Sequence, residues 1–165
     1  MSLLADLAVL CFAGLVFSAA VSDILTLTIP NRLCLAVGLL YPSYVLAAPV
    51  PVDWIGALAV AAVALVVGIA FFCFGAAGGG DGKLFAATAL WAGPGLIMHL
   101  TLYTAMAGGV MAVFMWLQHR VAHARTLTPD SQVDTDPKIG RQPMPYGAAI
   151  AVGALYVAFT LLGVN

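Results

Sequence analysis

The chain has 165 residues, of which 63% are hydrophobic and only 8% are charged, and its mean hydropathy is +1.06. Soluble globular domains carry about 25% charged residues, so this composition excludes that class and indicates a membrane protein. The formal net charge is -1 and the basic residues are scattered, which argues against a nucleic-acid partner and against a polybasic lipid-binding patch.

Several apolar runs approach or reach the length of about 20 residues that a helix needs to cross a bilayer. They cover residues 7–21, 33–50, 55–77 and 147–164. The stretch 84–117 is too long for one span and slightly short for two. Gly93-Pro94-Gly95 favours a break inside that stretch, because proline disrupts a helix and glycine tolerates a turn. The sequence therefore predicts an all-α membrane protein with six transmembrane helices in one membrane-embedded domain, residues 1–165.

The distribution of basic residues predicts the orientation, because cytoplasmic loops carry an excess of Lys and Arg. Six helices place every basic residue on one side, namely Arg32, Lys83, Arg120, Arg125, Lys138 and Arg141. A five-helix alternative would export four of them. We therefore predict that both termini are external and that residues 119–146 form a cytoplasmic loop. Tyr41, Tyr44 and Trp54 are predicted to anchor the outer interface.

The metal-binding residue types give little support for a metal or redox site. Three cysteines form no C-x-x-C pair, which argues against a disulfide framework and a zinc site. His119 and His123 have i, i+4 spacing, but neither a third ligand nor an H-E-x-x-H pattern accompanies them. We expect neither a metal ion nor a cofactor.

Two aspartates are the strongest candidates for catalysis, because a carboxylate within a bilayer is costly and therefore suggests a function. Asp23 ends the first predicted helix, and Asp81 ends the third, inside Gly78-Gly79-Gly80-Asp81-Gly82-Lys83. Both helices run inward in this topology, so both carboxyls reach the same face. Each aspartate could instead be a helix cap or part of a flexible turn.

A pair of close carboxyls can hydrolyse a peptide bond. Ionisation of both groups would place two negative charges close together at a high cost in free energy, so the pair shares one proton. The ionised group then takes a proton from water while the protonated group polarises the peptide carbonyl. Glycines such as Gly78 and Gly80 suit this site, because they allow an extended substrate to approach closely.

Three segments together resemble the type IV prepilin peptidases, and most closely their short form associated with Flp/Tad pili. Asp23 with Ile29-Pro30-Asn31 is similar to the family's D...IPN motif. Residues 78–83 are similar to G-x-G-D-x-K, the signature of GxGD membrane aspartyl proteases. Pro143-Met144-Pro145-Tyr146-Gly147 is similar to the P-(F/Y)-G element that opens the last helix.

The resemblance implies that Asp23 and Asp81 are catalytic, and it places Pro30, Asn31, Pro145, Tyr146 and Gly147 in the loops that shape the site. Asn31 can also cap the second helix. Lys83 is expected to tune the pKa of Asp81, to hold a substrate carbonyl, or to anchor the chain at the membrane interface.

The implied substrate is a prepilin with a basic leader and a hydrophobic segment, cut on the cytoplasmic side of a bacterial inner membrane after a Gly. Membrane lipid and the pilus assembly machinery are the other expected partners. Longer relatives carry paired C-x-x-C motifs associated with N-methylation, so we expect peptidase activity without methyltransferase activity.

Three other functions are alternatives to a prepilin peptidase. A small transporter or channel would use paired acids to bind a cation or relay protons. Such a protein is expected to have acids in mid-span and an internal repeat, and neither is evident in this sequence. A noncatalytic assembly scaffold would need no dyad. The presenilin and signal-peptide-peptidase group shares G-x-G-D, but its P-A-L element is missing from this sequence.

Overall fold

The computed structural model describes residues 3–75, 78–125 and 144–163, and these residues form five α-helices and no strand. The helices are α1 Leu3–Thr26, α2 Asn31–Ala47, α3 Trp54–Cys73, α4 Gly79–Arg125 and α5 Tyr146–Leu161. The all-α prediction is therefore confirmed. Because α4 continues to Arg125, it extends into the predicted loop 119–146, and most of the remaining loop lies outside the described residues.

One residue interrupts α4. Gly93 has φ 55° and ψ -170°, a conformation that favours glycine because it lacks a Cβ. Pro94 follows, and its missing N–H cannot contribute to the preceding helical turn. The interruption lies within the predicted break Gly93-Pro94-Gly95. It divides α4 into a first arm, residues 79–92, and a second arm, residues 94–125.

The contacts of the first arm show its direction. Gly82 lies against Gly68 of α3, close enough that a Cβ on Gly68 would be 2.9 Å from the Gly82 Cα atom. Gly93, at the other end of the arm, lies near Ala57, at the start of α3. The first arm is therefore antiparallel to α3.

The second arm packs against α5 in the opposite direction. Leu100 and Thr104 lie beside Gly153, whereas Gly108, further along the arm, lies beside Ala149, nearer the start of α5. Helix α5 itself begins at the end of the bundle where the first arm begins, since Gly80 and Gly147 both lie against Ile29. The second arm therefore runs back toward that end, and the two arms of α4 form a helical hairpin.

The described residues form five helices where six were predicted, because only Gly93 leaves the helical conformation and the two arms of α4 follow each other without an intervening loop. Three segments have the length and hydropathy of membrane spans, namely Leu3–Thr26, Trp54–Cys73 and Gly79–Gln118. Helix α5 is apolar but shorter. Large hydrophobic side chains along α3 are exposed, as expected for a helix that faces lipid.

Aromatic packing joins α1 and α2 to the first arm of α4. Trp91 stacks on Phe12 with ring centroids 4.4 Å apart. Tyr41 packs on Trp91 in a T-shaped arrangement with ring centroids 5.7 Å apart. The Trp91 Nε1–H group donates a hydrogen bond of 2.9 Å to the carbonyl of Val37. The prediction that Tyr41 is an interface anchor is wrong, because its ring is buried against Trp91; Tyr44 also packs on that ring.

Candidate active site

Asp23 lies in the last turn of α1 and is 3% exposed. Helix α1 ends at Thr26, and Leu27 takes a left-handed conformation with φ 53° while its N–H still donates to the Asp23 carbonyl. This arrangement is typical of a helix C-terminus. The Asp23 side chain turns toward the start of α5, where Gly147 N–H donates to its Oδ2 atom at 2.7 Å.

Hydroxyl groups that the sequence analysis did not single out hold the turn after Asp23. Ser22 Oγ donates to the Thr28 carbonyl at 3.0 Å, and Thr26 Oγ1 donates to the Ser22 carbonyl at 2.8 Å. Thr26 and Thr28 hydroxyls also lie 2.8 Å apart. Ser and Thr favour such local bonds to the backbone, so their spacing after Asp23 was the available signal.

Asp81 lies in the first turn of α4, so the prediction that it ends the third helix is wrong. Helix α3 ends at Cys73, and Gly75 then takes the left-handed φ of 66° that often follows the end of a helix. Gly78 N–H donates to Asp81 Oδ2 at 3.0 Å, so Asp81 reaches back to the residue before the helix. This bond is one half of a capping box and explains the local order without any catalytic role.

The two aspartates nevertheless lie at the same end of the bundle. The N-terminal ends of α4 and α5 both pack against Ile29, and the C-terminal end of α1 lies beside the start of α5. A Cβ on Gly80 would lie 3.1 Å from Ile29 Cβ, and a Cβ on Gly147 would lie 2.7 Å from Ile29 Cδ1.

A second contact joins the two motifs through Lys83. Its Nζ atom donates to Asn31 Oδ1 at 3.0 Å. Asn31 is the first residue of α2, and Pro30 occupies the cap position without a side-chain cap bond. The expectation that Asn31 caps α2 is therefore wrong, and its amide oxygen accepts from Lys83. The segment that follows Asp23 and the segment that contains Asp81 are thus tied together.

The third predicted segment opens α5 beside Asp23. Pro145 occupies the cap position of α5, Tyr146 is partly exposed, and Gly147 is buried. A Cβ on Gly147 would lie 2.8 Å from Asp23 Oδ2 and 3.0 Å from Asp23 Cβ. Glycine is needed here for close approach, and its N–H orients the carboxyl.

The described residues contain no group of three His, Cys, Asp or Glu side chains in a metal-binding arrangement. The side chains of His119 and His123 lie outside the described part of the chain. What the geometry offers is a pair of carboxyls, each oriented by a backbone amide, at the end of an otherwise apolar helical bundle. Such a pair can act as a general acid and a general base.

Comparison with known families agrees with this geometry. The sequence model of the type IV leader peptidase family matches residues 10–113, which include both Asp23 and Asp81. Neither a curated protein nor a solved structure matches the chain. The family match covers well over half of the sequence, and the chain therefore belongs to the type IV leader peptidase family.

Proposed function

We propose that this protein is a membrane aspartyl endopeptidase that removes the leader peptide from prepilin-like substrates, with Asp23 and Asp81 as its catalytic pair. Membership of the leader peptidase family supports the activity in general. The observation that carries the site assignment is that Asp23 and Asp81 lie at one end of the bundle, on segments that pack together around Ile29 and Gly147. Both acids lie at helix ends, which favours hydrolysis over the mid-span cation site of a transporter.

In the proposed mechanism the two carboxyls share one proton between them. One oxygen of each group accepts a hydrogen bond from a backbone N–H group, that of Gly147 for Asp23 and that of Gly78 for Asp81. We assign the second oxygen of each group to the shared proton and the attacking water. The ionised carboxyl takes a proton from that water, and the protonated carboxyl polarises the scissile carbonyl and then protonates the leaving amine.

The end of the bundle that holds the dyad is proposed to face the cytoplasm. Arg32 lies at the start of α2, Lys83 near the start of α4, and Arg120 and Arg125 at the end of the second arm, all toward this end. The acidic residues Asp6 and Asp53 lie at the opposite end. This asymmetry follows the positive-inside rule. It supports six crossings, with each arm of α4 crossing separately and both termini external.

The substrate details follow from that orientation. A prepilin keeps a basic leader in the cytoplasm and places an apolar helix in the bilayer, so its junction reaches the inner interface. We propose cleavage there, after a Gly that precedes the apolar segment, in the inner membrane of a bacterium that builds Flp/Tad-type pili. The sequence has three cysteines and no C-x-x-C pair, which supports peptidase activity without N-methylation.

The test is a reaction of the purified, detergent-solubilised protein with a prepilin and a methyl donor, followed by mass spectrometry of both products. The expected products are the leader ending in Gly and a shortened pilin with an unmodified amino terminus. Asp81→Asn should abolish both products. Asp53→Asn, an equivalent change at the opposite end of the bundle, should leave them unchanged. A cut elsewhere, a methylated terminus or full activity of Asp81→Asn would each contradict part of this assignment.

A further inference from the structure

A cavity of about 720 Å³ separates α3 from the second arm of α4 and from α5. Val63, Val67 and Phe71 line it on α3, and Thr101 lines it on the second arm. The first arm contributes Gly82 and Phe85 to the lining. We call this cavity the α3–α5 groove.

The groove begins at the catalytic end of the bundle. Gly82, in its lining, is the residue after Asp81, and Tyr146 is the residue before Gly147, whose N–H binds the Asp23 carboxyl. Asp81 therefore has an immediate neighbour in the groove wall, and Asp23 is linked to the wall through its hydrogen bond with Gly147. One end of the groove thus lies beside the segments that hold the two carboxyls.

The groove has the length of a short helical segment. Its lining on α3 extends from Ala59 to Phe71, which corresponds to about 18 Å at 1.5 Å per residue. That distance equals about three turns of an α-helix. The long axis follows α3, so a helix lying in the groove would run away from the dyad into the bilayer.

The chemistry of the groove fits an apolar helix. Among the described residues no charged side chain lines it, and the polar side chains in this lining are two threonines and a tyrosine. The Thr101 hydroxyl donates to the Ile97 carbonyl of its own helix at 2.8 Å. Small residues also line the groove, including Ala64, Gly68 and Gly82. Small residues allow close approach between helices in a membrane, where packing and not hydrophobicity drives association.

We infer that the α3–α5 groove receives the apolar helix of the substrate and places the peptide bond at its cytoplasmic edge against Asp23 and Asp81. This inference rests on the proposed function and adds to it the surface that selects the substrate. The groove recognises the apolar segment, which does not react, while the dyad acts on the bond next to it. A lipid acyl chain is the competing occupant.

The first test fills the groove and measures kinetics. Val63 lines the groove and is 64% exposed, whereas Val66, on the same helix, lies outside its lining and is 66% exposed. Val63→Trp should raise the KM for a prepilin-like peptide about ten-fold with little change in kcat, because it removes binding to a part of the substrate that does not react. Val66→Trp should match the parent protein. Equal KM values for the two variants would overturn the inference.

The second test does not depend on turnover. A photoreactive side chain at position 63 or 66, in an Asp81→Asn background, is irradiated with a peptide that has a basic leader, a Gly and an apolar segment. Position 63 should form an adduct with the apolar segment that excess unlabelled peptide suppresses, and position 66 should form none. Lipid adducts alone at position 63, or equal peptide adducts at both positions, would refute the groove. Failure of the parent protein to cleave the peptide, with the position 63 adduct intact, would instead refute the proposed peptidase function.

Discussion

Replacement of Gly147 by Ala tests how closely the start of α5 holds the carboxyl of Asp23, which we propose to be catalytic. The added Cβ would lie 2.7 Å from Ile29 Cδ1, 2.8 Å from Asp23 Oδ2 and 3.0 Å from Asp23 Cβ. Ordinary contacts between carbon atoms are about 3.5–4.0 Å, so the Asp23 side chain and the start of α5 must move apart by roughly 0.5–1 Å. The same movement lengthens the hydrogen bond from Gly147 N–H to Asp23.

The expected result is a loss of kcat out of proportion to any loss of stability. A displacement of about 1 Å in a catalytic group can reduce the rate about 100-fold, so we expect kcat to fall between about 10-fold and 100-fold. Overpacking of this kind costs about 1–3 kcal/mol of folding free energy. Cleavage of a solubilised prepilin is followed by gel shift at equal enzyme levels, together with the thermal stability of each purified variant.

The matched control is Gly14→Ala in the same helix as Asp23, where a Cβ would meet nothing within 4 Å. Alanine is a better helix former than glycine by about 1 kcal/mol, so this variant should be at least as stable as the parent and fully active. If Gly147→Ala retained the parental kcat, the close contact between α5 and Asp23 would not be part of the active site.

Three further predictions concern other parts of the molecule. Lys83→Met should reduce kcat several-fold, because it removes the hydrogen bond to Asn31, and Lys83→Arg should retain part of the activity. If Lys83 were only an interface anchor, kcat would be unchanged in both variants. Asp53→Ala removes the side chain that accepts from Gly56 N–H at the start of α3, so thermal unfolding should show a loss of about 1 kcal/mol with normal cleavage. Reporter fusions after Ser131 should be cytoplasmic and fusions after Asn165 external; the reverse pattern would invert the proposed topology.

Much of the architecture was predictable because the bilayer imposes a length and a polarity on every span. The all-α class and the break near Gly93 both follow from local sequence. The helix that carries Asp81 was assigned wrongly, because a glycine run can end one helix or begin the next. The structure places Asp81 in the first turn of α4, because α3 already ends at Cys73, ahead of the glycine run.

Burial was harder to predict, because both the lipid-facing and the buried faces of these helices are apolar. Tyr41 was therefore predicted at the interface, although it packs on Trp91 inside the bundle. The contact between Lys83 and Asn31 joins residues far apart in sequence, and no local pattern encodes it. The proposed dyad was predicted from motifs, and the structure then placed its two residues through the packing of Gly80 and Gly147 against Ile29.

The most direct test of the central claim compares Asp23→Asn, Asp81→Asn and the double variant by cleavage of a solubilised prepilin at equal enzyme levels. Asn is nearly isosteric with Asp, so all three proteins should insert and accumulate. Residues that act as one unit have strongly non-additive effects, so each single variant should fall to about the same residual rate as the double variant. Substantial activity in either single variant, or a double variant much slower than both, would contradict a mechanism in which two carboxylates share one proton.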